Sequence, residues 1–508
     1  MECNVTKQSV YVNECVFNQN LEQPIDTEFT LPDYCPDIDH IIKCVIQPRT
    51  GQKSFNGDTL TVDGTAMLTL FYTDGSQIRC YEYPIHFSRQ ISVGKPLSKA
   101  SARVCITSEF VNCRAVSKRR VDLHASLNMN VCIMSVREQQ VVSDIDYPSV
   151  QMLPAAASAT TPMGIGEKYI LFSDEIEVPS TNSSIKTLLR SDARTLAHEC
   201  KIIGNKVVVK GELIVSFFYI SENDNKPEHF TSTMPISQIV DIDRVNDSCT
   251  ATAEIEINEL EIKTHTSATG EVSTLTISAK MTVTASAYCN LDIPIVLDAY
   301  STDCAMELER TDIRFKKVDT SVYDNFVCRG NVEFGSDQIG EVLDIWCQPR
   351  VSTTEIGASG ILVKGIANVN MLAVDTDGYP RFYEKPLEFE YEHPCNIGKC
   401  EITPPQLIAI GCEYSMMSGA AEVRIELSIH TEIISINDIS PLMDAKLSET
   451  EIKPKDDFAR IALYYPQSRE KLWNIARKHN TGVSDIMVAN GISGDCAEAG
   501  SILIIPQK

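Results

Sequence analysis

The chain has 508 residues, of which 45 are Lys or Arg and 69 are Asp or Glu, so its formal net charge is −24. This length exceeds what one hydrophobic core accommodates, which predicts several domains, and a hydrophobic fraction of 43% excludes wholesale disorder. The acidic balance argues against binding to nucleic acid and against simple adsorption to anionic lipid, since both surfaces are themselves negative.

The N-terminal residues 1–16 lack a basic region followed by an apolar run, and the chain contains no stretch of eighteen apolar residues. Such features mark secretory signals and membrane-spanning helices. We therefore expect a cytosolic protein that is not integral to a membrane.

Three segments repeat one β-rich pattern. An alternating strand with a central glycine occurs at 60–72, 207–219 and 361–373. Each is preceded by a strand ending in arginine, 15, 17 and 15 residues before the glycine, and followed by a strand that contains proline. These markers are Gly64, Gly211 and Gly365, with Arg49, Arg194 and Arg350, and with Pro84, Pro235 and Pro386. The glycines predict bulges or close strand approach, and we interpret the arginines as structural residues tying a strand end to a buried carboxylate.

Each repeat ends in a long hairpin of alternating apolar and polar residues, which indicates antiparallel sheet with one wet face. The hairpins are 102–116 with 119–135, 252–266 with 272–289, and 402–417 with 421–436. A period of roughly 150 residues allows each repeat to bury its own core. We predict a mainly β protein with three tandem antiparallel β-sandwich-like repeats, at 1–150, 163–305 and 310–447.

Two segments are predicted to be linkers. Residues 153–162 are rich in Ala and Thr, and residues 448–457 are polar and charged. These compositions favour connections between repeats one and two and before the C-terminal segment.

The chain contains 18 cysteines but no Cys-x-x-Cys pair. Without a secretory signal, small buried thiols are a better interpretation than a disulfide framework. His393, Cys395 and Cys400 could suggest a metal site, but their spacing is not that of a common zinc knuckle, and we favour a structural role.

No catalytic signature is apparent. The chain lacks a nucleophile elbow, a phosphate-binding loop and a His-Glu-x-x-His motif, and its nine histidines are scattered. We expect a non-enzymatic binding or scaffolding protein without cofactor or metal. The remaining alternative is an enzyme that uses an unrecognised pocket between the repeats.

The last segment, 458–508, predicts a β-α-α-β order. Apolar residues alternate at 461–465 until Pro466, and apolar residues at 472–476 recur at helical spacing after Ser468, a plausible N-cap. A second helix at 483–489 and a closing strand at 502–505 follow.

The sequences LeuTrp-x-IleAla at 472–476, AlaAsnGly at 489–491 and GlySer-x-Leu-x-IlePro at 500–506 resemble a LysM module. The resemblance implies binding of N-acetylated glycans, such as peptidoglycan or chitin, by the turn after the first strand and the loop before the last. That turn usually reads Gly-Asp-Thr, whereas this chain has Arg469, Glu470 and Lys471. We interpret the change as a shift to a protein ligand, although backbone donors could still meet an acetamide.

Acidic β-rich repeats followed by one LysM module resemble the SipL family of sporulation proteins, whose repeats are SPOCS domains. The resemblance implies a mother-cell protein that binds the coat morphogenetic ATPase SpoIVA through its LysM module and helps the coat encase the forespore. It predicts a SpoIVA-like ATPase and other coat proteins as partners, and a location at the forespore surface.

The predicted partner surface lies on the terminal module. It combines apolar residues with a basic rim, and Trp473 and Ile461 are equally compatible with core positions. The residues are Ile461, Tyr464, Arg469, Lys471, Trp473 and Met487. The leading hypothesis is a non-enzymatic coat assembly factor. The alternative is a LysM protein that binds peptidoglycan, an N-acetylglucosamine glycan, in the cell wall or spore cortex.

Overall fold

A computed structural model describes residues 4–95, 97, 100–266, 272–357, 360–395, 398–451, 461–467, 469–498 and 500–506. Strands make up 78% and helices 3% of the structure, and the sheets are small and antiparallel. The predicted mainly β fold class is confirmed.

The first repeat consists of six antiparallel strands in two three-stranded sheets. The strands are β1 (Asn4–Thr30), β2 (His40–Asn56), β3 (Thr59–Thr73), β4 (Ile78–Ser92), β5 (Ala100–Ala115) and β6 (Arg120–Asp146). The sheet orders are β1-β6-β5 and β2-β3-β4. Ile46 and Leu68 of one sheet pack with Leu123 and Leu127 of the other in a shared core, so the repeat is a β-sandwich.

The second and third repeats follow the same plan. The second contains β7 (Val150–Glu177), β8 (Ile185–Ile203), β9 (Lys206–Ser221), β10 (Pro227–Asp241), β11 (Thr250–Thr266) and β12 (Val272–Ser301). The third contains β13 (Cys304–Arg310), β14 (Ile313–Glu333), β15 (Ile339–Ile356), β16 (Gly360–Asp375), β17 (Pro380–Pro394), β18 (Cys400–Ile402), β19 (Gln406–Met417), β20 (Ala420–Ile439) and β21 (Leu442–Glu451). The second has sheets β11-β12-β7 and β10-β9-β8; the third has β15-β16-β17 and a sheet in which β20 pairs with β14, β18 and β19.

The long terminal hairpins form as predicted. They are β5 with β6, β11 with β12, and β19 with β20. In β12, Leu275, Ile277, Ala279 and Met281 are buried, while Thr276, Ser278 and Lys280 between them are partly or fully exposed. The alternation therefore has the period of two that distinguishes the core face from the wet face.

The marker glycines lie at bulges and at close strand contacts. The register shifts beside the partner of each glycine, between Thr50 and Lys53, Ala197 and Glu199, and Val351 and Thr353. At Gly64 and Gly365 a phenylalanine of the next strand, Phe87 or Phe389, covers the space that a Cβ would occupy. Both parts of the glycine prediction are confirmed, because a side chain there would force the strands apart.

The arginine markers are only partly equivalent. Arg49 and Arg350 pair with the residue after the marker glycine, whereas Arg194 pairs with the third residue after it. Arg49 is partly buried, and burial lowers its pKa against the opposing effect of Asp192 and Glu82. Arg350 is exposed. Among the described residues no carboxylate pairs with Arg350, so the expected tie from a strand end to a buried carboxylate is wrong for this residue.

The three sandwiches form a closed ring. We name the sheets β2-β3-β4, β8-β9-β10 and β15-β16-β17 the inner sheets of the three repeats. The last strand of each inner sheet contacts the first strand of the next one: β4 contacts β8, β10 contacts β15, and β17 contacts β2. One apolar cluster contains Phe71, Phe218 and Leu372, each seven residues after its marker glycine. Equivalent residues from all three repeats thus meet around a pseudo-threefold axis, and the repeats pack against one another.

Polar contacts also cross each junction of the ring. The most buried is between repeats two and three, where Arg190 Nη2 lies 2.8 Å from Asp344 Oδ2 with the two side chains 5% and 7% exposed. The guanidinium also lies 4.2 Å from the centre of the Trp346 ring. The other junctions contain Gln47 Nε2 to Asp192 Oδ1 at 3.0 Å and Lys43 Nζ to Glu384 Oε2 at 2.7 Å.

The predicted linker at 153–162 is wrong. These residues lie inside β7 and pair with the last part of β12. Pro154 and Pro162 are accommodated because β7 is an edge strand. Of the second predicted linker, residues 448–451 belong to β21 and residues 452–457 lie outside the described residues.

We expected the cysteines to be free thiols, but four of them form two disulfide bonds. Cys44 is joined to Cys113, and Cys249 to Cys289, with Cα atoms 6.2 Å and 4.4 Å apart. The first pair connects β2 with β5 and so links the two sheets of the first sandwich. Because each pair is distant in sequence, spacing alone does not reveal it.

Candidate functional site on the C-terminal module

The terminal module has the predicted β-α-α-β order. Its elements are β22 (Ile461–Tyr464), α1 (Leu472–His479), α2 (Val483–Asn490) and β23 (Leu503–Pro506). The predicted N-cap Ser468 lies outside the described residues, and α1 instead begins after Lys471, which makes no side-chain cap. Asn480 and Gly491 end the two helices in left-handed conformations, as helix C-termini commonly do.

The two loops that a LysM module would offer to a glycan are joined to each other. The Leu472 N–H donates to the Asp495 carbonyl at 2.8 Å, and the Ala497 N–H donates to the Glu470 carbonyl at 2.9 Å. These two backbone donors are therefore already used within the module and are not free for an acetamide.

The altered turn keeps a backbone shape suited to glycine. Arg469 has φ +48°, in the left-handed region that side chains with a Cβ seldom adopt. Glu470 turns inward, where its carboxylate accepts hydrogen bonds from the Tyr464 hydroxyl at 3.0 Å. Arg469 and Lys471 are exposed, so this side of the module presents two cations.

Tyr464 is held on the inner side of the sheet. Besides its bond to Glu470, its ring lies 5.1 Å from Lys478 Nζ and 5.4 Å from the His479 ring. Met487 is half-buried against the module core. The contacts of these two predicted residues therefore lie within the module.

Trp473 points towards the second repeat. Its indole N–H donates to Asp298 Oδ2 at 2.9 Å, and its ring packs edge-on against Tyr300 with centroids 5.0 Å apart. The structure thus separates the six predicted residues: Ile461, Arg469 and Lys471 are exposed, while Tyr464, Trp473 and Met487 are engaged within the chain.

The other face of the two-stranded sheet is apolar and exposed. Leu463 pairs with Ile504 across the sheet. We name the outer apolar face as the residues Ile461, Leu463, Tyr465, Ile502 and Ile504, whose exposed fractions are 60, 62, 66, 54 and 37%.

Four of these five residues were not predicted as contacts. The alternation at 461–465 indicates two faces, but the even positions Ala462 and Tyr464 are apolar as well, so the pattern does not say which face is buried. The helices cover the even face. Only their packing reveals the exposed one.

Comparison with known families decides the domain content. Residues 184–264, from the start of β8 to within β11, match the SipL SPOCS domain, and residues 467–506 match the LysM domain. The chain carries a SPOCS domain of the SipL family and a C-terminal LysM domain. A search of curated proteins gives no significant match, and neither does a search of solved structures.

The SPOCS match lies within the second repeat and spans β8 to most of β11, while the first and third repeats share its strand order and its bulged glycine. The SPOCS and LysM domains link the protein to sporulation and to the spore coat, and both families are generally binding or scaffold domains. No helix in the described parts of the chain is long and apolar enough to cross a membrane.

An open cleft of about 900 Å³ lies between the sandwiches of repeats one and two. On its walls, His86 Nδ1 lies 3.0 Å from the Thr65 hydroxyl, and Lys280 pairs with Glu259 at 2.6 Å. Within the described residues, no group of three His, Cys, Asp or Glu side chains is placed to hold a metal ion. His393 Nδ1 instead faces the Tyr391 hydroxyl at 3.4 Å.

Proposed function

We propose that this protein is a non-enzymatic assembly factor of the endospore coat that binds a SpoIVA-like morphogenetic ATPase through its LysM domain. The observation that carries the proposal is the outer apolar face. A face of five exposed large apolar side chains on a domain of about fifty residues is costly in water unless a partner covers it.

The turn beside this face supports a protein ligand over a glycan. Two loop amides are used within the domain, and Glu470 is bound to Tyr464 in the middle of the turn. The exposed Arg469 and Lys471 add a cationic rim. An apolar patch with a charged rim is the usual anatomy of a protein interface.

The ring of three repeats serves, in this proposal, as the body that presents the LysM domain and offers surfaces to other coat proteins. The protein then acts in the mother cell at the forespore surface. A fluorescent fusion observed during sporulation should form a ring around the forespore. Uniform septal or wall signal would instead favour the peptidoglycan-binding alternative.

Leu463→Arg tests the proposed interface. A cation at the centre of the outer apolar face should reduce capture of the purified ATPase by the full-length chain by about tenfold or more, because burying it without a partner is unfavourable. Capture is measured by co-purification and by titration. Leu463 is 62% exposed, so the variant should fold normally.

The matched control is Val488→Arg, at an 84% exposed position on α2 outside this face. It should bind like the wild type. Retention of the wild-type chain on peptidoglycan without capture of the ATPase would overturn the proposal, and so would full binding by Leu463→Arg.

A further inference from the structure

The LysM domain rests on the second repeat, although it follows the third in sequence. The contact centres on Asp298 near the end of β12, whose side chain is only 13% exposed. Its Oδ2 accepts from Trp473 Nε1 at 2.9 Å and from Arg477 Nη1 at 2.6 Å, and its Oδ1 accepts from Arg310. Two guanidinium groups and an indole thus share one carboxylate, in charge-assisted hydrogen bonds of the stronger kind.

Tyr300 extends the same contact. It lies two residues further along β12, so it points to the same side of the strand as Asp298. It is buried with Leu472, Ile475 and Ile486 in the LysM core, and its hydroxyl donates to the Thr481 carbonyl at 2.6 Å. A residue of the second repeat therefore completes the core of a domain that is itself very small.

We infer that Trp473 is a positioning residue, which docks the LysM domain on Asp298 and Tyr300 so that the outer apolar face is presented to a partner in a fixed direction. Its indole N–H is already donated to Asp298, and its ring packs edge-on against Tyr300. The indole N–H and the ring surface against Tyr300 are therefore engaged within the chain and not offered to a partner. The consequence for partner binding rests on the proposed function, whereas the docking itself does not.

The docking can be measured without any partner. The chain contains two tryptophans, so Trp346→Phe leaves Trp473 as the sole indole reporter in the full-length protein. On this background, Asp298→Asn removes the carboxylate charge, and Tyr300→Phe removes the bond to Thr481. We expect both to shift the emission of Trp473 to longer wavelength and to increase its quenching by acrylamide.

Asp292→Asn is the matched control, because Asp292 lies on the same strand but is exposed and accepts from Ser158. It should leave emission and quenching unchanged. Unchanged emission and quenching in Asp298→Asn would overturn the docking.

The positioning role is tested by capture of the ATPase. Asp298→Asn keeps Trp473 and the outer apolar face, yet it should weaken capture by about tenfold, the effect of losing one well-made hydrogen bond. Trp473→Phe should weaken capture to a similar degree. If Asp298→Asn binds like the wild type while Trp473→Phe fails, then Trp473 contacts the partner directly and the inference is wrong. If the wild type captures no ATPase while the fluorescence shows docking, the proposed function fails and the docking stands.

Discussion

At the scale of single residues, the backbone conformation of two positions in the LysM domain restricts which residues fit there. Arg469 occupies a left-handed backbone conformation with φ +48°, at the place where a LysM turn usually has glycine. Asn480, which also has a positive φ of 49°, is of a type that tolerates this region more readily. The turn therefore has a backbone conformation suited to glycine, although it carries Arg469, Glu470 and Lys471.

Arg469→Gly should increase the stability of the LysM domain by roughly 1 kcal/mol, because glycine adopts the left-handed region without steric cost. The measurement is urea unfolding followed by Trp473 fluorescence in the Trp346→Phe background. Lys478→Gly, in the exposed part of α1, is the opposite control and should lose roughly 1 kcal/mol. A loss of stability in Arg469→Gly would show that the backbone at this position is not strained.

At the scale of elements, the bulged strand with its glycine defines each repeat. The three register shifts adjoin the glycine partners, and the glycines allow an aromatic ring or a backbone carbonyl to approach. Bulges bend and twist a strand. The repeat markers seen in the sequence therefore coincide with a bulge and a close contact between strands in each repeat.

Gly365→Ala should lower the free energy of unfolding by about 1–3 kcal/mol, the usual range for overpacking. An added Cβ would clash with the Arg350 carbonyl and with the Phe389 ring. Gly398→Ala in the same repeat is the control, since nothing lies within 4 Å of its Cβ position. It should change stability by less than about 0.5 kcal/mol. Equal urea midpoints for the two variants would contradict the close-approach explanation.

At the scale of the whole molecule, the repeats depend on each other. Burial alone would lower the pKa of Arg190, but Asp344 and Asp192 outweigh it, and the pKa is raised. The pair is buried between two repeats, whereas Lys43 and Glu384 at another junction are 31% and 43% exposed. The buried pair should therefore matter more to the stability of the ring than the exposed pair.

Arg190→Met should therefore cost about 3–5 kcal/mol, because it leaves the Asp344 carboxylate buried without a partner. Lys43→Met should cost less than about 1 kcal/mol, as expected of an exposed pair. Urea unfolding of the full chain measures both. Replacing Arg190 and Asp344 together by Met and Leu should recover much of the loss. A cost for Arg190→Met no greater than that of Lys43→Met would contradict this account of the ring.

The sequence by itself determined the strands, the hairpins, the marker glycines and the LysM fold, because periodicity and turn residues act over a few neighbouring positions. Tertiary structure alone decided the ring, the two disulfides, the exposed face of β22 and the docking of Trp473. These features join residues far apart in the chain, with separations of 341 for Lys43 and Glu384 and 175 for Asp298 and Trp473. Local patterns specify which side chains are apolar or charged, but only the packed fold determines which of them meet.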